Sequence, residues 1–227
     1  DTLVKQAKKI ADASKGSSSS GGGGGGAAPA PQTPTIPETP AAPEYPEAST
    51  RFIDLGNHTW ADNAINTLAD EGIIKGTSEN TFSPAANITR ADFAILLVRA
   101  FKLTSNNAEN FADVNLNDYF AKELAVARNT SLVNGIGENK FAPKSNITRQ
   151  DMMVIVYRAL VAMEKEFDTT VISAPDFANV ADYAKEAVSA LVNAKLVNGK
   201  NGLIDPTAYT TRAEVAVLIK RILDFVK

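Results

Sequence analysis

Ile88-Thr89-Arg90-Ala91-Asp92 recurs as Ile147-Thr148-Arg149-Gln150-Asp151 and again as Thr210-Thr211-Arg212-Ala213-Glu214, and this recurrence decides the fold. The three threonines at its centre stand 59 and then 63 residues apart. Other positions keep the same register. Phe52-Ile53-Asp54 matches Phe111-Ala112-Asp113 and Phe177-Ala178-Asn179, and Trp60 matches Tyr119 and Tyr183. Lys75-Gly76 matches Asn134-Gly135 and Asn198-Gly199, and Phe82-x-Pro84 matches Phe141-x-Pro143 and Ile204-x-Pro206. In this register the third copy is two residues shorter between its phenylalanine and its aromatic. So many positions agreeing in three copies mark one supersecondary unit used three times, over 51–105, 106–165 and 166–227.

Each unit reads as two helices joined by a turn-rich loop. Thr59, Asp118 and Asp182 are good N-cap residues just before the aromatic. Apolar positions then recur at helical spacing, as in Ala61, Ile65 and Leu68. Gly72 suits the residue that ends the first of these helices. Gly76, Gly135 and Gly199 mark places where the backbone turns or approaches a ligand closely. The second helix starts at the recurring Thr-Arg and is apolar almost all round, as in Phe93, Ile95, Leu96, Leu97 and Val98, which places it at a domain centre. One such unit buries too little surface to be comfortably stable, so three pack together. The expected fold class is all-α, with any strand short and marginal.

Thr at N-cap with an acid three residues on is a capping box, which accounts for Thr89 and Asp92, Thr148 and Asp151, and Thr211 and Glu214. The arginine between them is unexplained by capping. Arg90, Arg149 and Arg212 each sit at the first helical position, where a cation is unfavourable by roughly 0.3–1 kcal/mol. A helix start joined to a guanidinium makes a receptor for a carboxylate or phosphate. The competing reading pairs each arginine with an acid of a neighbouring repeat. Trp60, Tyr119 and Tyr183 are either core anchors or ring faces for a sugar. Lys75 is either an ordinary solvated lysine or a second cation beside Gly76.

Composition narrows the function. The chain has no cysteine and one histidine, His58, so disulfides, thiolate sites and multi-histidine metal centres are excluded. Its 23 basic and 26 acidic residues provide no excess of positive charge for nucleic acid. No apolar run approaches the roughly 20 residues that cross a bilayer, so no membrane insertion is expected. The carboxylates form no acid–base pair, so the segment is expected to be no enzyme and to need no cofactor or metal. Residues 16–50 hold Gly21 to Gly26 and then prolines at every third position from Pro31 to Pro46. Such a stretch reads as a disordered linker, flexible first and semi-rigid polyproline II after. Residues 1–15 suit a short amphipathic helix, the tail of an upstream domain. A start at Asp1 without a signal peptide suggests a processed or excised piece.

The set Phe52-x-Asp54, Trp60, Gly72-Ile73-Ile74-Lys75-Gly76, Phe82-x-Pro84 and Ile88-Thr89-Arg90-Ala91-Asp92 resembles the S-layer homology domain. The resemblance covers about residues 51–224 in three copies, and it implies a pseudo-threefold bundle with grooves between repeats. It also implies non-covalent anchoring of an extracellular protein to the cell wall, through an anionic, pyruvylated N-acetylmannosamine of a secondary cell wall polysaccharide. Other surface-layer proteins are further implied partners. Carried over by position, Arg90, Arg149 and Arg212 would hold the carboxylate. Trp60, Tyr119, Tyr183, Lys75, Gly76, Gly135 and Gly199 would complete the grooves. Because the later copies replace the lysine and the tryptophan, unequal grooves are expected, those built on first-repeat residues being the most competent. Changing all three arginines to alanine is expected to abolish wall binding and to spare the helices. The alternative is a helical-repeat scaffold for protein partners.

Overall fold

The computed structural model describes residues 51–227. The helix expected over 1–15 and the linker over 16–50 lie outside the described residues. Six helices follow in order: α1 (Thr59–Asp70), α2 (Arg90–Ala100), α3 (Ala121–Asn129), α4 (Arg149–Ala162), α5 (Lys185–Asn193) and α6 (Arg212–Val226). Among the described residues there is no strand, only isolated bridges, so the class is all-α. No helix among them is long and apolar enough to cross a membrane.

The second helix of each repeat is central because its sequence is apolar on most faces, exposed positions such as Arg158 and Asp224 being confined to the outer side and the end. Helix α2 buries Ala91, Phe93, Ala94, Ile95, Leu97, Val98 and Ala100, and α4 and α6 do the same with Met152, Val154, Ile155, Val156, Val215, Leu218 and Ile219. Their starts are capped as the motif demands. The Thr89, Thr148 and Thr211 side chains accept from the backbone N–H of Asp92, Asp151 and Glu214. The full reciprocal box is present at Thr211–Glu214.

The first helices depart from expectation at their starts. Thr59 is the first residue of α1 and His58 stands at its cap; α3 begins after Phe120 and α5 after Ala184. None of the three has a side-chain cap. Asp118 accepts from the Asn115 N–H, and Asp182 pairs with Lys185 at 2.6 Å, so both shape the preceding turn. A short 3₁₀ turn at each of Gly56–His58 and Asp182–Ala184 leads directly into the helix.

Helix pairing is exchanged between repeats. α1 packs on α6, α3 on α2 and α5 on α4, so each first helix lies on the central helix of the preceding repeat, and the third repeat closes on the first. The same cycle appears at the axis. Ile88 N–H donates to Thr210 O, Thr210 N–H to Ile147 O, and Ile147 N–H to Ile88 O, at 3.1, 3.2 and 3.1 Å. One ring of three hydrogen bonds thus joins all three repeats.

An aspartate organises each loop. Asp54 accepts from the N–H groups of Phe82 and Ser83, and Asp113 from those of Phe141 and Ala142. In the third repeat the equivalent is Asp176, which accepts from Ile204 and Asp205. The alignment of Phe177-Ala178-Asn179 with the other copies is therefore corrected to Ala174-Pro175-Asp176. The third copy carries one extra residue before its aromatic and keeps its aspartate. Small-residue drift at Ala174 had hidden the register.

Helix ends carry a left-handed residue, Gly72 at φ 71°, but Ser131 at 61° and Lys195 at 58° in the later copies. The residue after each returns its N–H to the helix, Ile73 to Leu68, Leu132 to Ala127 and Leu196 to Leu191. Side chains with a Cβ are strained there, by roughly 1 kcal/mol. Ser131→Gly and Lys195→Gly are each expected to stabilise the domain by about 0.5 kcal/mol, the gain being trimmed by glycine's freedom when unfolded. Urea midpoints of the two variants measure this.

Candidate functional site

The ring closure decides what surrounds each arginine. Arg212 of the third repeat donates through Nε to Phe82 O at 2.8 Å and through Nη2 to Lys75 O at 2.9 Å, both in the first repeat. Its guanidinium lies 4.5 Å from the Phe82 ring centroid. Arg90 repeats this on the second repeat, with Nε to Phe141 O at 2.9 Å and the guanidinium 4.8 Å from that ring. Arg149 reaches the third repeat, through Nε to Ile204 O and through Nη2 to Asn198 O. Arg90 and Arg149 are buried, only 9% and 7% exposed.

The helix starts themselves are already occupied. Arg90 and Ala91 N–H donate to Ser145 and Pro143 O, Arg149 and Gln150 N–H to Ala208 and Pro206 O, and Arg212 and Ala213 N–H to Ala86 and Pro84 O. The third N–H of each helix goes to the capping threonine. The anion receptor expected from helix polarity is therefore not available here. Capacity for a negative ligand falls to the side-chain cations, the guanidinium and, at the Arg212 groove, Lys75.

Each groove draws on all three repeats. One, of about 260 Å³, is lined by Arg212 from the third, Lys75, Gly76 and Asp92 from the first, and Tyr119 from the second. Another, of about 580 Å³, is lined by Arg149, Asn198, Gly199 and Glu214 with Trp60 and His58. Around Arg90 the corresponding neighbours are Asp151 and Tyr183. Trp60, Tyr119 and Tyr183 are 57%, 71% and 59% exposed, so they are surface rings and not core anchors. Lys75 presents its carbonyl to Arg212 and its side chain to solvent.

The glycines have a structural cause. A Cβ on Gly76 would lie 2.4 Å from Ser78 O and 2.5 Å from Thr81 O; on Gly135 it would lie 2.6 Å from Lys140 O, and on Gly199 2.6 Å from Leu203 O. Each loop folds back tightly on its own glycine, and that geometry sets the carbonyls which receive the arginines.

The acids opposite the arginines are the part that sequence reasoning treated as capping alone. Asp151 lies 3.6 Å from Arg90, and Glu214 lies 3.3 Å from Arg149. The reading in which arginines pair with acids of a neighbouring repeat thus holds at two positions. At Arg212 no carboxylate stands within ion-pair distance among the described residues. Asp92 instead accepts from the Tyr119 hydroxyl at 2.8 Å, as Asp151 accepts from Tyr183 at 2.7 Å. Burial, then the bond to the carboxylate, pushes the Tyr119 and Tyr183 hydroxyls up to about 12. Burial lowers the Arg90 and Arg212 guanidiniums, and their neighbouring acids oppose that. No group of three or more His, Asp or Glu among the described residues is placed to hold a metal.

Burial alone would raise the Asp54 and Asp176 carboxyls. The backbone N–H groups of Phe82 and Ser83, and of Ile204 and Asp205, outweigh it and hold both below the usual carboxylate range. The folded state therefore binds fewer protons than the unfolded chain. The stability these groups add is present above about pH 4 and lost as pH falls through their lower native values. Urea unfolding between pH 5 and 3 is expected to show this loss, with a shallower slope in Asp54→Asn.

A closed ring of three helical repeats, with arginine-lined grooves at the Arg212 and Arg149 junctions, defines a helical-repeat module with grooves between its repeats. The S-layer homology domain model matches residues 51–94, 110–153 and 175–216, and the chain belongs to that family. It is 29% identical over 169 residues to an amylopullulanase of Thermoanaerobacterium thermosulfurigenes, covering 73% of this chain and 9% of that protein. It is 29% identical to an exoglucanase of Acetivibrio thermocellus, with 78% and 16% covered, and to an S-layer protein of Bacillus licheniformis, with 76% and 20% covered. The chain thus spans a fifth or less of the length of these relatives.

Proposed function

We propose that this domain anchors an extracellular protein to the cell wall without covalent chemistry, by gripping an anionic, pyruvylated secondary cell wall polysaccharide in its inter-repeat grooves. The observation that carries the reading is Arg212. Two backbone carbonyls and the Phe82 ring fix its guanidinium at a groove, and no carboxylate among the described residues comes within ion-pair distance of it, Asp92 and Asp54 acting on it only from farther off. A preorganised guanidinium offers a ketal carboxylate a charge-assisted bond, and the exposed Tyr119 ring offers a sugar an apolar face. Lys75 and Gly76 complete this groove, Trp60 and Gly199 line the Arg149 groove, and Tyr183 stands beside Arg90. An amylopullulanase and an exoglucanase share similarity over this segment with S-layer proteins. A segment common to such different proteins fits a shared attachment role, catalysis residing elsewhere in each. Other surface-layer proteins remain candidate partners at the wall.

Calorimetric titration with synthetic pyruvylated N-acetylmannosamine, beside the same sugar lacking the ketal, tests this. The ketal sugar is expected to bind about 100-fold tighter, the size of one charge-assisted contact to a fixed guanidinium. Equal affinity for the two sugars overturns the anionic reading. Sedimentation with sacculi stripped of wall polysaccharide separates the remaining alternative, since a scaffold for protein partners would still sediment.

A further inference from the structure

The three arginine sites share one plan and differ in how the facing acid is held. At Asp92 both carboxylate oxygens are occupied by hydroxyls: Oδ1 accepts from Tyr119 and Oδ2 from Thr89, each at 2.8 Å. Its arginine, Arg212, has no ion-pair partner among the described residues. At Asp151 only Oδ1 has a hydroxyl, from Tyr183, and Oδ2 lies 3.6 Å from Arg90. At Glu214 the threonines 210 and 211 occupy Oε2, no first-repeat hydroxyl reaches Oε1 because Trp60 stands where the others have tyrosine, and Oε1 lies 3.3 Å from Arg149. An acid with an open oxygen has turned to its arginine. The acid with none has not. Since a carboxylate of the protein and a carboxylate of the ligand compete for one guanidinium, what holds the internal acid sets how much of the arginine is left for the ligand.

We propose that Tyr119 is a positioning residue which, by holding Asp92 Oδ1 while Thr89 holds Oδ2, keeps that carboxylate out of ion-pair distance of Arg212 and reserves this guanidinium for the carboxylate of an acidic glycan. The proposal rests on the anionic-glycan reading above and adds which groove is selective and why. It makes the Arg212 groove the primary acidic-sugar site, and the Arg149 groove, although larger, a poorer one, because Glu214 already answers its charge.

The test titrates the full chain with the pyruvylated N-acetylmannosamine and with the ketal-free sugar, using wild type, Tyr119→Phe, Asp92→Asn and the double variant. Tyr119→Phe is expected to weaken binding of the ketal sugar about tenfold, the value of one hydrogen bond to a charged group. Adding Asp92→Asn removes the competing charge and is expected to restore binding to within about twofold of wild type. If Tyr119→Phe binds like wild type, or if the double variant stays as weak as Tyr119→Phe, the proposal is overturned; the second result would mean that the hydroxyl touches the sugar itself. Wild type that fails to distinguish the two sugars overturns the underlying reading and the proposal with it, so the two failures are told apart.

Discussion

Alanine at Arg90, Arg149 and Arg212 together is expected to unfold the domain. Each arginine bonds a carbonyl of the next repeat around the ring: Phe141, Ile204 and Phe82. A hydrogen bond from a charged donor contributes about 1.5–3 kcal/mol, and leaving its buried acceptor unmade adds to the loss. Arg90 and Arg212 also lie over a phenylalanine ring, worth about 1–2 kcal/mol where water is largely excluded. The ion pairs to Asp151 and Glu214 add less, because those acids are about a third exposed. Each substitution should cost about 2–4 kcal/mol, so three together, about 6–12 kcal/mol, are comparable with a typical domain stability of about 5–15 kcal/mol. Circular dichroism melts should show the triple variant largely unfolded at 25 °C and each single variant folded but destabilised. A triple variant that unfolds cooperatively within about 2 kcal/mol of wild type would show that the struts carry little. This replaces the expectation that the helices survive the triple change. Loss of wall sedimentation by that variant would therefore say nothing about ligand contact, whereas Tyr119→Phe leaves the struts intact.

Gly76→Ala is the second large effect expected. The added Cβ would meet two backbone oxygens at 2.4 and 2.5 Å and Phe52 Cε1 at 2.8 Å, and backbone atoms in a closed turn cannot rotate aside. Overpacking of this kind costs about 2–3 kcal/mol. The turn would open where Lys75 O receives Arg212, so ligand affinity should fall with stability. Gly72, four residues earlier, provides the contrast. Its Cβ would meet nothing within 4 Å, but its φ of 71° makes alanine unfavourable by about 1 kcal/mol. Chemical denaturation of the two variants should rank them in that order, and affinity should drop for Gly76→Ala only. A Gly72→Ala variant as unstable as Gly76→Ala would mean that backbone strain, and not space, governs the loop.

The difference between these glycines was invisible in one dimension. Both stand in Gly72-Ile73-Ile74-Lys75-Gly76, and only the return of Ser78 and Thr81 over Gly76 tells a residue chosen for space from one chosen for its dihedral. The same holds for the acids. Asp92 and Asp151 share a capping role that four consecutive residues disclose, yet one leaves its arginine unpaired and the other does not. Trp60 and the two tyrosines were legible as equivalent, but their exposure, and the hydroxyl bonds to Asp92 and Asp151, required the neighbouring repeat to be in place.

Taken alone, the sequence determined what is local: three copies, capped and mostly apolar central helices, a glycine past the first helix of the first copy, and an arginine at the start of each central helix. Those features depend on residues within a turn or two of one another, so spacing encodes them. Tertiary structure decided the partners. Three similar repeats emit the same local signals, so nothing short-range says that α1 must lie on α6 or that Arg212 must reach Phe82, 130 positions away. Closing the ring makes those choices. It occupies the helix-start N–H groups with carbonyls from the next repeat and holds each guanidinium against a carbonyl of its neighbour.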